Sequence, residues 1–179
     1  MTKVEKHLGG GSRRCWEDEG VLNWAIKMFN LKSMIDIGCG LGCQVQLARK
    51  KGLRAIGIDG DPTVITPDLH IQFDFSKDKF STDDKFDLAW SCEFLEHVYE
   101  EYIPNYMPAF QSAKIVMCTH APPGKKGYHH VNCQTADYWK DVFNQYGFTY
   151  DVRGTEMLRQ MTTMDKAFMR KYGLMFIRR

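Results

Sequence analysis

Met34-Ile35-Asp36-Ile37-Gly38-Cys39-Gly40-Leu41-Gly42 is the stretch that decides the fold of this chain. A short apolar run carrying one acid gives way to three glycines at every second position. A segment with helical spacing, 44–51, follows and ends at Lys51-Gly52. Glycines let the backbone bend sharply and come close to a ligand. The free amides that open the next helix can face a carboxylate or phosphate. The spacing is Gly-x-Gly-x-Gly. The dinucleotide-binding pattern asks for a further small residue at position 43, where Cys43 stands. By itself, such a turn names a sharp bend near a ligand and nothing more.

Outward from this turn, strands and helices alternate. Buried-strand patterns are expected over 34–37, 54–59, 70–75, 86–91, 113–119, 148–152 and 174–177. Helical spacing runs over 16–29, where Glu17, Asp18 and Glu19 suit the first turn and Asn30 the stop. Further helices are expected at 104–110, after the cap residue Thr135, and over 155–172 along a methionine-rich stripe ended by Gly173. Such a stripe reads as core. Pro62 and Pro67 leave room for only a very short helix between the second and third strands. The pattern predicts an α/β fold, a mostly parallel seven-stranded sheet with helices on both faces. The last strand, which follows a strand and a helix, is a candidate to run antiparallel.

Three acids lie at the carboxyl ends of strands, where open α/β sheets bind ligands. Asp36 precedes the glycines. Asp59 stands about 20 residues beyond Gly38, where a carboxylate can accept from both hydroxyls of a ribose. Asp74 can accept from an adenine amino group, with Phe75 or Phe73 against the ring. Gly42 in place of the later glycine, and Asp36 before the turn, speak against a nicotinamide oxidoreductase.

These residues resemble the class I S-adenosylmethionine-dependent methyltransferases. The segment 36–42 resembles their first motif, Gly57-Ile58-Asp59 the second, Asp74-Phe75 the third and the segment 86–91 the fourth. The resemblance implies a Rossmann-like fold with S-adenosylmethionine as cofactor. It also implies that Asp36, Gly38, Gly40, Gly42, Asp59, Asp74, Phe75 and Ser91 form its site. Gly38 and Gly40 would meet the methionine part, Asp59 the ribose, and Asp74 and Phe75 the adenine. The short link from Asp59 to His70 departs from the family's full helix.

After the fourth strand comes Ser91-Cys92-Glu93-Phe94-Leu95-Glu96-His97-Val98. On a helix, Glu93, Glu96 and His97 would share one face. Two carboxylates and an imidazole can hold a divalent metal, or supply a general base. The stretch resembles the ubiquinone-biosynthesis O-methyltransferases and the small-RNA 3′-terminal 2′-O-methyltransferases. That likeness implies a divalent metal on Glu93, Glu96 and His97, joined by a histidine of a later loop. His120, His129 and His130 are available, and His130 or His129 is the expected match. A purely structural or acid–base use of the cluster stays open. His97 and His130 are the candidate catalytic residues.

Bulk properties set the outer limits. The 179 residues suit one domain over 16–179, preceded by an arm or lid over 1–15 that contains Gly9-Gly10-Gly11-Ser12. Arg13 and Arg14 could meet an anionic substrate there. A net charge of +2 and no basic stripe argue against nucleic acid as the leading partner. No apolar run nears the roughly 20 residues that span a membrane. The charged start reads as no signal peptide, and the place expected is the cytoplasm. None of the six cysteines forms a Cys-x-x-Cys pair, so reduced thiols without disulfides are expected. The function expected is methyl transfer to a hydroxyl of a small metabolite or sugar. A metal-dependent RNA 3′-terminal 2′-O-methyltransferase and a non-catalytic cofactor-binding module are the alternatives.

Overall fold

The computed structural model describes residues 4–8 and 14–179. Seven strands form one sheet: β1 (Ser33–Ile37), β2 (Arg54–Asp59), β3 (His70–Gln72), β4 (Phe86–Ser91), β5 (Ala113–Thr119), β6 (Phe148–Tyr150) and β7 (Gly173–Arg178). Their order is β3-β2-β1-β4-β5-β7-β6. The first five run parallel, and β7 is antiparallel to both β5 and β6. The chain order therefore reverses at β1, between β2 and β4. Ligand crevices form at the carboxyl ends of strands at such a point.

The central strands are buried on both faces, and every residue of β1 is buried. Alternate side chains of β1 consequently join two cores. Ile35 and Ile37 pack with α3 (Ile103–Gln111), α4 (Ala136–Gln145) and Phe75 and Phe80 of the segment after β3. Met34 packs on the other face with α1 (Glu19–Phe29), α2 (Cys43–Lys50), α5 (Val152–Met161) and α6 (Phe168–Tyr172). Helices cover both faces, as expected.

Local chemistry explains most boundaries. Asp18 caps α1 by accepting from the Val21 amide at 3.1 Å, and Asn30 ends it in the left-handed region at φ 50°. Thr135 caps α4 by accepting from the Tyr138 amide at 3.2 Å. Between β2 and β3 only a 3₁₀ turn, Pro67–Leu69, is present.

Four expectations need correction. The stripe over 155–172 is two helices, not one. Asp18 draws the link between them out of helix by accepting from the Thr163 amide at 3.0 Å and from the Thr162 hydroxyl. The stripe is core only in part: Met164 and Met169 are buried, but Met161 is exposed. The third strand stops at Gln72 and the sixth at Tyr150. Cys15 and Cys43 form a disulfide with Cα atoms 5.5 Å apart, whereas none was expected. Their 28-residue separation hides that approach in the sequence. No helix of the described residues is long and apolar enough to cross a membrane. The segment Gly9-Gly10-Gly11-Ser12 and Arg13 lie outside the described residues.

Candidate active site

At the carboxyl end of the parallel strands lies a cavity of about 1140 Å³. Its wall includes Asp36, Gly38, Gly40, Asp59, Asp74 and Phe75, each named from sequence. Gly38 and Gly40 have φ of 74° and 53°, a region that costs a side-chain residue roughly 1–2 kcal/mol. A Cβ on Gly38 would come within 2.8 Å of the Phe94 Cβ, so Phe94 closes the loop from beneath. A Cβ on Gly40 would meet nothing within 4 Å, so its backbone faces open cavity. Gly42 is not part of the wall. It enters α2 at φ 73°, and a Cβ there would meet the His70 ring at 3.0 Å.

His70 has no sequence signal of its own, yet it holds this turn. It is buried at the start of β3. Its Nε2 lies 2.9 Å from the Gly40 carbonyl, and its Nδ1 accepts from the Thr66 amide at 3.1 Å. With Nδ1 accepting, Nε2 carries the hydrogen and donates to Gly40. The short β2–β3 link thus replaces a helix with a strut. Asp59 anchors the same turn, accepting from the Gly40 amide at 2.8 Å and the Asp61 amide at 2.9 Å. Each of its oxygens keeps further acceptor capacity for a ribose.

Burial pushes the Asp36 carboxyl well up, and the Asp59 charge adds to it. Burial also raises Asp59, against the two amides that stabilise its charge. Asp74 behaves otherwise. Burial would raise it, but the Ser76 hydroxyl and amide and the His7 ring hold it below the usual range. Ser91 is displaced from the expected set. Its hydroxyl donates to the Ile37 carbonyl at 2.8 Å, tying β4 to β1, and Trp90 and Cys92 line the cavity instead.

The segment 93–97 is not one helical face. Glu93 takes φ 57° with its amide on the Thr119 hydroxyl at 2.7 Å, and only Leu95–His97 forms a 3₁₀ turn. Even so, Glu96, His97 and His130 converge. One ligand atom from each lies within 4.8 Å of the others. Glu93 lines the cavity but stands outside this trio.

The Glu96 side chain is wholly buried; among the described residues no amide, hydroxyl or cationic group donates to either carboxylate oxygen, and the Glu93 carboxyl lies within hydrogen-bonding reach. Burial and the Glu93 charge push its pKa well up. Its backbone carbonyl accepts from the amides of Val131 at 2.9 Å and Asn132 at 3.1 Å, which brings the histidine loop over it. The His97 and His130 rings meet edge to face at 4.9 Å. Burial, aided by His130, lowers His97 to about 4, so its imidazole is neutral at neutral pH. The Lys125 carbonyl lies 3.1 Å from His130 Nδ1. A proton on Nδ1 leaves Nε2 as the free lone pair. Of the other loop histidines, His129 lines the cavity, whereas His120 is buried against the Gln134 carbonyl at 3.0 Å, away from the cluster. Sequence reasoning also missed Tyr99, Tyr102 and Tyr128, which line the mouth beside His129. Tyrosines scattered over loops and a 3₁₀ turn carry no periodic signal.

Residues 35–117 match a family model described as a methyltransferase domain. Over these residues the chain carries a methyltransferase domain. That match covers the glycine turn, Asp59, Asp74 and the Glu96–His97 pair. Solved structures share the fold. The magnesium protoporphyrin IX methyltransferase of Synechocystis, with bound S-adenosylmethionine, is 18% identical. It aligns over 89% of this chain and 76% of its own, with a TM-score of 0.62. A TehB-like methyltransferase of Corynebacterium glutamicum is 16% identical over 89% of this chain and 88% of its own, with a TM-score of 0.66. A sugar N-methyltransferase of Streptoalloteichus is 10% identical over 90% and 87%, also with a TM-score of 0.66. No curated protein sequence matches this chain.

Proposed function

We propose that this protein is an S-adenosylmethionine-dependent methyltransferase that acts on a hydroxyl of a small metabolite or sugar, beside a divalent cation held by Glu96, His97 and His130. The observation that carries the reading is Glu96. A buried carboxylate that no amide, hydroxyl or cation of the described residues meets, with a second carboxyl at Glu93 beside it, is costly unless a cation or a shared proton meets the pair. Two imidazoles converge on Glu96, and the neutral His97 offers a lone pair. Carboxylate and imidazole together suit a divalent ion. When bound, such an ion lowers the pKa of an acceptor hydroxyl.

The chain's own groups do the rest. Asp36, buried and short of positive partners, faces the cationic methionine end of the cofactor. Gly38 and Gly40 let that end approach the backbone. Asp59 takes the ribose hydroxyls, and Asp74 and Phe75 take the adenine. Methyl transfer is an in-line displacement from an already activated sulfonium, so holding the acceptor oxygen in line supplies much of the rate. The lone pairs of His97 and His130 would be engaged by the ion, so the hydroxyl proton leaves to solvent water. Tyr99, Tyr102 and Tyr128 enclose the acceptor at the mouth.

The test is methyl transfer from S-adenosylmethionine to a panel of sugars, phenols and amines, with and without chelator. The expected result is transfer to a hydroxyl, abolished by chelator, restored by Mg²⁺ or Mn²⁺, and lost in Glu96→Gln. Transfer only to amines, or turnover indifferent to chelator, would overturn it. Cofactor binding without any turnover would favour a non-catalytic module. Turnover of an RNA 3′ end, with steeply salt-dependent binding, would favour the RNA reading.

A further inference from the structure

The described part of the arm, Val4–Leu8, lies along the nucleoside side of the cavity, and His7 points at Asp74. The contacts of Asp74 divide cleanly. Oδ1 accepts from the Ser76 amide at 2.9 Å and the Ser76 hydroxyl at 2.7 Å. Oδ2 faces His7 Nε2 at 3.2 Å and Lys77 Nζ at 3.3 Å. Lys77 is 65% exposed, so its hold is weak, whereas the His7 side chain is 26% exposed. His7 Nε2 also lies 3.1 Å from the Ser76 hydroxyl, and its Nδ1 lies 3.4 Å from Glu5.

Two further contacts seat the arm. A Cβ on Gly60 would come within 2.7 Å of Leu8 Cδ2, so the bare backbone at the end of β2 is the surface on which Leu8 rests. At Cys15 the chain is tied to the first residue of α2, directly after the glycine turn.

We propose that Val4–Leu8 is the outer wall of the cofactor's nucleoside subsite and that His7 is a positioning residue that aims Asp74 at the adenine amino group. The inference rests on reading Asp74 as the adenine acceptor. A carboxylate held by Ser76 on one oxygen alone can turn about its χ2 axis. A donor on the second oxygen holds its plane, so less orientational freedom is lost when the cofactor binds. Exchange of the exposed Lys77 for the adenine amino group leaves His7 and Ser76 in place. Leu8 and Val4 then exclude water from that side.

The experiment is calorimetric titration of the full chain with S-adenosylhomocysteine, for the natural protein, His7→Ala and His7→Gln. The glutamine amide supplies a donor where Nε2 stood. His7→Ala is expected to raise Kd about five- to tenfold, as for loss of one charge-assisted hydrogen bond. His7→Gln is expected to recover most of that loss, with unchanged melting temperatures in both variants. A Kd for His7→Ala within twofold of the natural protein overturns the proposal. So does a His7→Gln variant as weak as His7→Ala. Mn²⁺ titration of the same variants reports on Glu96, His97 and His130 independently, so loss of metal binding in the natural protein would overturn the reading of that cluster and leave this one standing. Failure of the natural protein to bind S-adenosylhomocysteine would overturn this proposal directly.

Discussion

Glu96 brings the tension in the site down to one side chain. Its carboxyl is buried, no amide, hydroxyl or cation among the described residues meets it, and burial and the neighbouring Glu93 push its pKa well above the ordinary 4.5. A carboxyl raised on folding binds its proton more tightly in the native state, so stability falls as pH rises above about 4.5. Glu96→Gln removes the titration and keeps the shape. With chelator present, the variant is expected to match the natural protein near pH 5 and to be more stable by about 1–2 kcal/mol at pH 8. Thermal melts across that range check it. Saturating Mn²⁺ is expected to reverse the order, because only the natural protein gains binding free energy. A variant less stable than the natural protein at pH 8 without metal would argue that Glu96 already has a partner. The residue types of this cluster were legible in the sequence. Their arrangement was not, because Glu93 sits at φ 57° and the expected helical face does not form.

The turn from β1 into α2 shows why glycines with one spacing do different work. At Gly38 a Cβ would strike Phe94, and at Gly40 it would enter the cavity. Gly40→Ala is expected to cost about 1–2 kcal/mol of stability, the left-handed penalty alone, and to weaken S-adenosylhomocysteine binding at least about tenfold. Gly38→Ala is expected to lower the melting temperature further, since it adds a packing clash. Paired melts and titrations separate the two, and equal melting losses would contradict this division. The glycine positions were readable because the bend is local. His70 was not, because its partner Gly40 is 30 residues away.

Across the whole molecule, Asp18 joins α1 to the link between α5 and α6. It is fully buried, caps α1, and accepts from the Thr162 hydroxyl and the Thr163 amide between α5 and α6. Asp18→Ala removes three accepted hydrogen bonds and leaves the buried Val21 amide and Thr162 hydroxyl without that acceptor. The expected cost is about 2–4 kcal/mol, read as a fall in melting temperature of roughly 5–15 °C. A fall under about 2 °C would show that water replaces the carboxylate without penalty. Single-sequence periodicity ran one helix through this link, because the stripe of apolar residues continues across it. The tertiary contact with Asp18 outweighs that local preference.

The sequence by itself determined the seven strands, the glycine corner, the acids that follow β2 and β3, and the double burial of the sheet. Each of these depends on residue spacing within one element or one turn. Only the tertiary structure decided which strands the antiparallel β7 lies between, that Cys15 reaches Cys43, that His70 braces Gly40, and which of the loop histidines joins Glu96 and His97. Those features rest on distances between residues far apart in the chain, which closing the sheet and packing both its faces bring together.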